Sequence, residues 1–66
     1  MAVAKIIEIS SESGTSFEDA IRKGIARAEK SVRNVKGAWI AEQKVTVDKG
    51  KPVGYRVDMK VSFVLD

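Results

Sequence analysis

Between residues 53 and 65, apolar side chains fall at every second position: Val53, Tyr55, Val57, Met59, Val61, Phe63 and Leu65. The residues between them, Gly54, Arg56, Asp58, Lys60, Ser62 and Val64, are mostly polar. Side chains alternate faces along a strand, so this pattern predicts one long β-strand with an apolar face and a wet face. The run is more than twice the usual strand length of about five or six residues. A strand this long outreaches any sheet that the rest of a 66-residue chain can build, which points to partner chains.

Residues 2–10 read as a first strand, with Ile6, Ile7 and Ile9 supplying β-branched bulk on both faces. Residues 11–15 are small and polar, with Gly14, and read as a loop. Ser16 then has the character of a helix N-cap, with Glu18 and Asp19 in the first turn where the helix dipole favours negative charge. An apolar stripe follows in steps of three and four: Phe17, Ile21, Gly24, Ile25, Ala28, Val32, Val35. That spacing predicts an amphipathic helix of about five turns. Gly24 inside the stripe costs about 1 kcal/mol of helix propensity. Its expected use is close approach of helix to sheet. Asn34 and Gly37 are suited to ending the helix.

Residues 38–47 predict a second strand whose alternation is not clean, so both faces meet something or a bulge switches them midway. Residues 48–52, Asp-Lys-Gly-Lys-Pro, predict a turn, with Gly50 able to take positive φ and Pro52 blocking continuation. The expected fold class is α+β with the order β-α-β-β. A three-stranded antiparallel sheet partly wraps one long amphipathic helix, and its other face has no cover from its own chain. The whole chain, residues 1–66, is expected to be a single domain.

So small a core is marginal alone and calls for disulfides, a metal or oligomerisation. The chain has no cysteine and no histidine, which leaves oligomerisation. The same absences remove the usual nucleophile and general base, so no enzyme is expected. Net charge is +3, with twelve cations spread among nine anions, which reads as a solvated mixed surface. A nucleic-acid binder would cluster its basic residues with aromatics, and this chain does not. No apolar run approaches the length of a membrane span, and residues 1–5 lack the form of a signal peptide, so a cytoplasmic protein is expected.

Trp39 is the single tryptophan, at the start of the second strand. It packs in a subunit interface or offers a stacking platform to a flat aromatic ligand. Arg56, on the wet face of the last strand, pairs with Glu42 or Asp58, or else contacts the same ligand as Trp39 across the hairpin. Glu42 and Asp58 are placed to face each other across that hairpin. Repeated by symmetry, they could hold a hard cation such as calcium.

The opening AKIIEIS, the segment SGTSFEDAI, the helix end ARAEKSVRNV, the Glu42-Gln43 pair and the ending YRVDMKVSFVLD together resemble the dodecin family over nearly the whole chain. The resemblance implies a hollow homododecamer of tetrahedral symmetry. It implies riboflavin or flavin mononucleotide (FMN) held in pairs between tryptophans of symmetry-related subunits, stored or sequestered without turnover. Laid along the family without gaps, the stacking tryptophan falls on Gly37, with Trp39 two residues further along. The family's flavin-edge glutamine falls on Arg56, and Glu42 matches an acidic residue near the floor of the site. The ligand-binding residues implied are Gly37, Trp39, Glu42, Gln43 and Arg56. An altered or lost flavin site, serving calcium binding or a scaffold, is the alternative.

Overall fold

The computed structural model describes residues 3–65. The elements are β1 (Val3–Ser13), α1 (Phe17–Glu29), β2 (Val35–Asp48) and β3 (Lys51–Leu65). The predicted order β-α-β-β holds. The three strands form one antiparallel sheet in the order β1-β3-β2. The long alternating strand is therefore the central one, paired on both sides. Its alternation has a direct cause: Val57, Met59, Val61 and Phe63 are buried beneath the helix. Full burial of a side chain such as Val57, Met59 or Val61 stabilises the fold by about 1.5–3 kcal/mol.

The helix presents small residues to that strand. Ala20, Gly24 and Ala28 form its buried line, flanked by the half-buried Phe17 and Ile21. A Cβ on Gly24 would overlap the Met59 methyl and stand 3.1 Å from Ser11 Cβ. Gly24 is thus where helix and sheet touch, as its place in the stripe predicts. Ser16 is the N-cap in extended conformation, and its Oγ accepts the Asp19 backbone N–H at 3.0 Å. Sequence reading missed Ser13, which adds a second layer to this cap. The Ser13 hydroxyl donates to Asp19 at 2.6 Å and accepts from the Thr15 amide at 2.9 Å.

Several expected boundaries move. The first strand was expected over residues 2–10; Ala2 lies outside the described residues, and β1 continues to Ser13 because Ser11, Glu12 and Ser13 pair with Val57, Arg56 and Tyr55. The helix ends at Glu29, well short of five turns. Its last amides turn inward, with Ser31 and Val32 N–H both donating to the Ala28 carbonyl. Asn34 then takes φ 61°, and its backbone carbonyl accepts from Val64 N–H at 3.1 Å. That contact starts β2 at Val35, so Val35 packs on the core from the sheet, opposite Phe63. Gly37 does not end the helix; it lies inside β2.

The hairpin turn is tighter than expected. Lys49 and Gly50 both have positive φ, as a two-residue hairpin turn requires. Pro52 does not stop the strand. It pairs with Val47 beyond the last β1 pairing at Tyr55, where β3 has one free edge that tolerates a missing N–H. The described chain measures 51 × 19 × 13 Å, with a radius of gyration of 13.5 Å. A compact chain of this length has about 11 Å. The excess comes from the hairpin, which runs on past the end of the helix.

Candidate ligand-binding face

The sheet face turned away from α1 carries the candidate chemistry, and strand register decides which residues reach it. Residues opposite one another share a face. Across the three strands this gives a row of Glu8, Lys60 and Trp39, then Ser10, Asp58 and Glu42, then Glu12, Arg56 and Lys44. Gly37 lies one row beyond Trp39, opposite Ser62. Trp39 and Glu42 are three apart in sequence yet share this face because the ladder shifts register between Ile40 and Glu42. The bulge left open by the sequence is therefore real, and it absorbs Ala41. It also carries Gln43 to the helix side of the sheet, opposite Val57.

Trp39 is 46% exposed. The Gly37 position leaves ordinary contact space above Ser62, whose hydroxyl donates to the Gly37 carbonyl at 3.2 Å. Arg56 does not stand beside Trp39 within one chain. Trp39 is opposite Lys60, and Arg56 is four residues further along β3, about 13 Å away at the rise of a strand.

Arg56 is instead anchored to its own strand and to β1. Its Nε donates to Ser10 Oγ at 2.9 Å and lies 3.4 Å from Asp58 Oδ1, while Ser10 Oγ also donates to Asp58 at 2.8 Å. The Ser10 hydrogen bond, helped by Arg56, holds the Asp58 carboxyl below its ordinary value of 3.8. Sequence reading missed Ser10, because nothing local in the chain says that β1 pairs with β3 in this register. Two shallow concavities flank this cluster. Glu42, Arg56 and Asp58 line both, one of about 310 Å³ with Glu8, Ser10 and Ala41, and one of about 150 Å³ with Gln43 and Lys44.

Glu42 and Asp58 do face each other across β2 and β3. Among the described residues of one chain, no group of three or more carboxylates is placed to hold a metal ion. Calcium takes six to eight oxygen ligands, so a single chain's pair is at most a fraction of such a site. Trp39 offers an exposed indole beside the open Gly37 position, while the Arg56 guanidinium, held through Nε, lies about 13 Å further along the sheet.

A central fifteen-residue strand, one helix across one sheet face and a bare, polar, aromatic opposite face define a small sheet-and-helix unit of the dodecin type. The dodecin family model matches residues 3–66, and this chain belongs to that family. It is 38% identical over 63 residues to the calcium dodecin of Mycobacterium tuberculosis, covering 96% of this chain and 89% of that protein. The crystal structure of that calcium dodecin, described as carrying a novel calcium-binding site, superposes with a TM-score of 0.81, covering 97% of this chain and 91% of that one. A variant of the Thermus thermophilus dodecin is 29% identical with a TM-score of 0.93, covering 100% of this chain and 98% of that one. The Streptomyces davaonensis dodecin is 29% identical with a TM-score of 0.91, covering 98% and 96%. Among the described residues no helix is long and apolar enough to cross a membrane.

Proposed function

We propose that the chain is the subunit of a hollow, cytoplasmic homododecamer that sequesters a flavin without catalysis and takes FMN in preference to riboflavin. The observation that carries this reading is the half-exposed Trp39 on a sheet face that its own helix leaves bare. An indole there stacks an isoalloxazine ring, while Gly37 leaves room beside it. Arg56 supplies the preference. Its Nε is engaged by Ser10 and Asp58, so the guanidinium is oriented and its terminal nitrogens are placed to fork onto a phosphate. One chain holds these two residues about 13 Å apart, so stacking and phosphate contacts come from different subunits or from the two ends of one ligand. Gln43 pairs with Val57 on the helix side of the sheet and reaches this set only at the edge of the smaller concavity.

Titration of riboflavin and FMN, followed by Trp39 fluorescence, tests this. FMN is expected to bind more tightly. Trp39→Ala is expected to weaken both by about one to two powers of ten, as the loss of one stacked ring does. Arg56→Gln is expected to narrow the gap between the two flavins. Tight riboflavin binding that survives Trp39→Ala overturns the reading.

One observation favours a second reading. Glu42 faces Asp58, and a 38% identical relative is a calcium dodecin. Symmetry-related copies of that pair supply the oxygens that one chain lacks. Calorimetric titration with calcium separates the two, since a calcium heat that disappears in Glu42→Gln, with no flavin quenching, selects it.

A further inference from the structure

The sheet order β1-β3-β2 leaves β1 as an edge strand. Ile7 and Ile9 turn to the helix side of that edge, opposite Val61 and Met59, and pack on the core. The helix meets them with small residues, Gly24 and Ala28, both buried. Small residues on one wall and isoleucines on the other leave an open groove of about 470 Å³ between α1 and β1. That volume is in the range of small-molecule sites, about 300–1,000 Å³.

The groove is one-sided in charge. Lys23 and Arg27 line it, and no carboxylate does. Lys23 already has an anionic partner, Asp19 at 3.0 Å. Arg27 has none among the described residues. Its Nη1 donates to Ser31 Oγ at 3.1 Å, a neutral hydroxyl that also lines the groove. A guanidinium placed this way has further N–H groups to offer a carboxylate. The hollow on the other flank of α1 carries Glu18 and Glu29 in its lining and disfavours the same ligand. Arg27 lies in the last turn of α1, where the helix dipole opposes an anion. A bare carboxylate therefore gains little here, and an apolar tail along the isoleucines has to supply the rest.

We propose that the α1–β1 groove binds a free medium-chain fatty acid. Arg27 and Ser31 hold its carboxylate, and its tail lies along Ile7, Ile9, Gly24 and Ala28. The site is on the helix side of the sheet, across from the face that carries Trp39 and Arg56, so it does not rest on a flavin being bound.

Calorimetric titration of the assembled protein with decanoate, kept below the concentration at which it forms micelles, tests this. One saturable site per chain is expected, with no binding of acetate. Octanoate is expected to bind more weakly, by up to about fourfold for each methylene that the groove covers. Decanol has the same tail without the charge, and is expected to bind about tenfold or more weakly than decanoate, as the loss of a charged hydrogen bond does. Arg27→Gln is expected to close that gap by weakening decanoate and leaving decanol where it is. Ser31→Glu, which brings a carboxylate to Arg27, is expected to do the same. Both positions are exposed, so the fold carries either change. Lys23→Gln is expected to matter little, because Asp19 already holds Lys23. Decanoate and decanol binding equally to the wild type, or a gap that survives Arg27→Gln, overturns the proposal. So does a groove that takes decanoate only once the assembly has dissociated, or not at all. FMN quenching of Trp39 is expected to be the same with and without saturating decanoate; competition between them places decanoate on the other face and also overturns the proposal.

Discussion

The sheet has two halves with opposite characters. From Val57 to Phe63, β3 is covered by α1, flanked by β1 and β2, and supplies four buried apolar side chains. From residue 41 to residue 53 the hairpin continues the same two strands with every residue exposed. Secondary structure is equally regular in both halves, since backbone hydrogen bonding between β2 and β3 runs to the turn. What differs is cover. A ladder of backbone bonds shapes a hairpin, but burial on one face is what makes it independently stable. The covered half is specified by its own chain, and the bare half has no cover from that chain.

The largest effect that sharpens this contrast is Met59→Ala. Met59 is 1% exposed at the centre of the covered half. Removing it is expected to cost about 2–5 kcal/mol through lost burial and a cavity. Denaturant unfolding at one protomer concentration measures this, because oligomer stability depends on concentration. A loss of only about 0.5 kcal/mol, the size of a surface change, would erase the distinction between the two halves.

Next in size is Gly24→Leu, which crowds the contact with Met59 and Ser11. A destabilisation of about 1–3 kcal/mol is expected from overpacking. Gly24→Ala combined with Met59→Ala provides the sharper version. The alanine at residue 24 then has the space vacated by the Met59 methyl, so the pair is expected to cost less than the sum of its parts. Strict additivity would show that helix and sheet do not meet there.

The smallest effect is in acid. Two carboxyls lie below the ordinary value of 3.8, one at the start of α1 and one on the sheet face turned away from it. Asp19 is lowered by the Ser13 hydroxyl first and then Lys23, and Asp58 by Ser10 first and then by Arg56. A carboxyl depressed in the folded state adds stability above its unfolded value and loses it as pH falls through its folded one. Both contributions are therefore complete above about pH 4 and disappear below it. Carboxyl chemical shifts across an acid titration read this directly. Ser10→Ala is expected to return Asp58 toward 3.8 and leave Asp19 where it is, with Ser13→Ala doing the reverse. A single substitution that moved both would couple two clusters that the sheet holds apart.

Much of the covered half was legible in the sequence. Period-two alternation in residues 53–65 announces a strand with one buried face, Ser16 announces the helix start, and a glycine in an apolar helical stripe announces a close contact. These are local signals, carried by side-chain periodicity and cap chemistry within a few residues. The helix end was not legible, since Val32 and Val35 keep the helical spacing; Asn34 meeting β3 through Val64 ended the pattern instead. The candidate site was legible in its members but not in its arrangement. Trp39, Glu42, Gln43 and Arg56 were all visible as residue types. Only the β1-β3-β2 order, the bulge at Ala41 and the pairing of Ser10 with Asp58 decided that Gln43 faces the helix and that Arg56 lies far from Trp39. Faces and neighbours in a sheet are set by hydrogen-bond register between segments up to about fifty residues apart, and a one-residue slip moves every side chain to the other side.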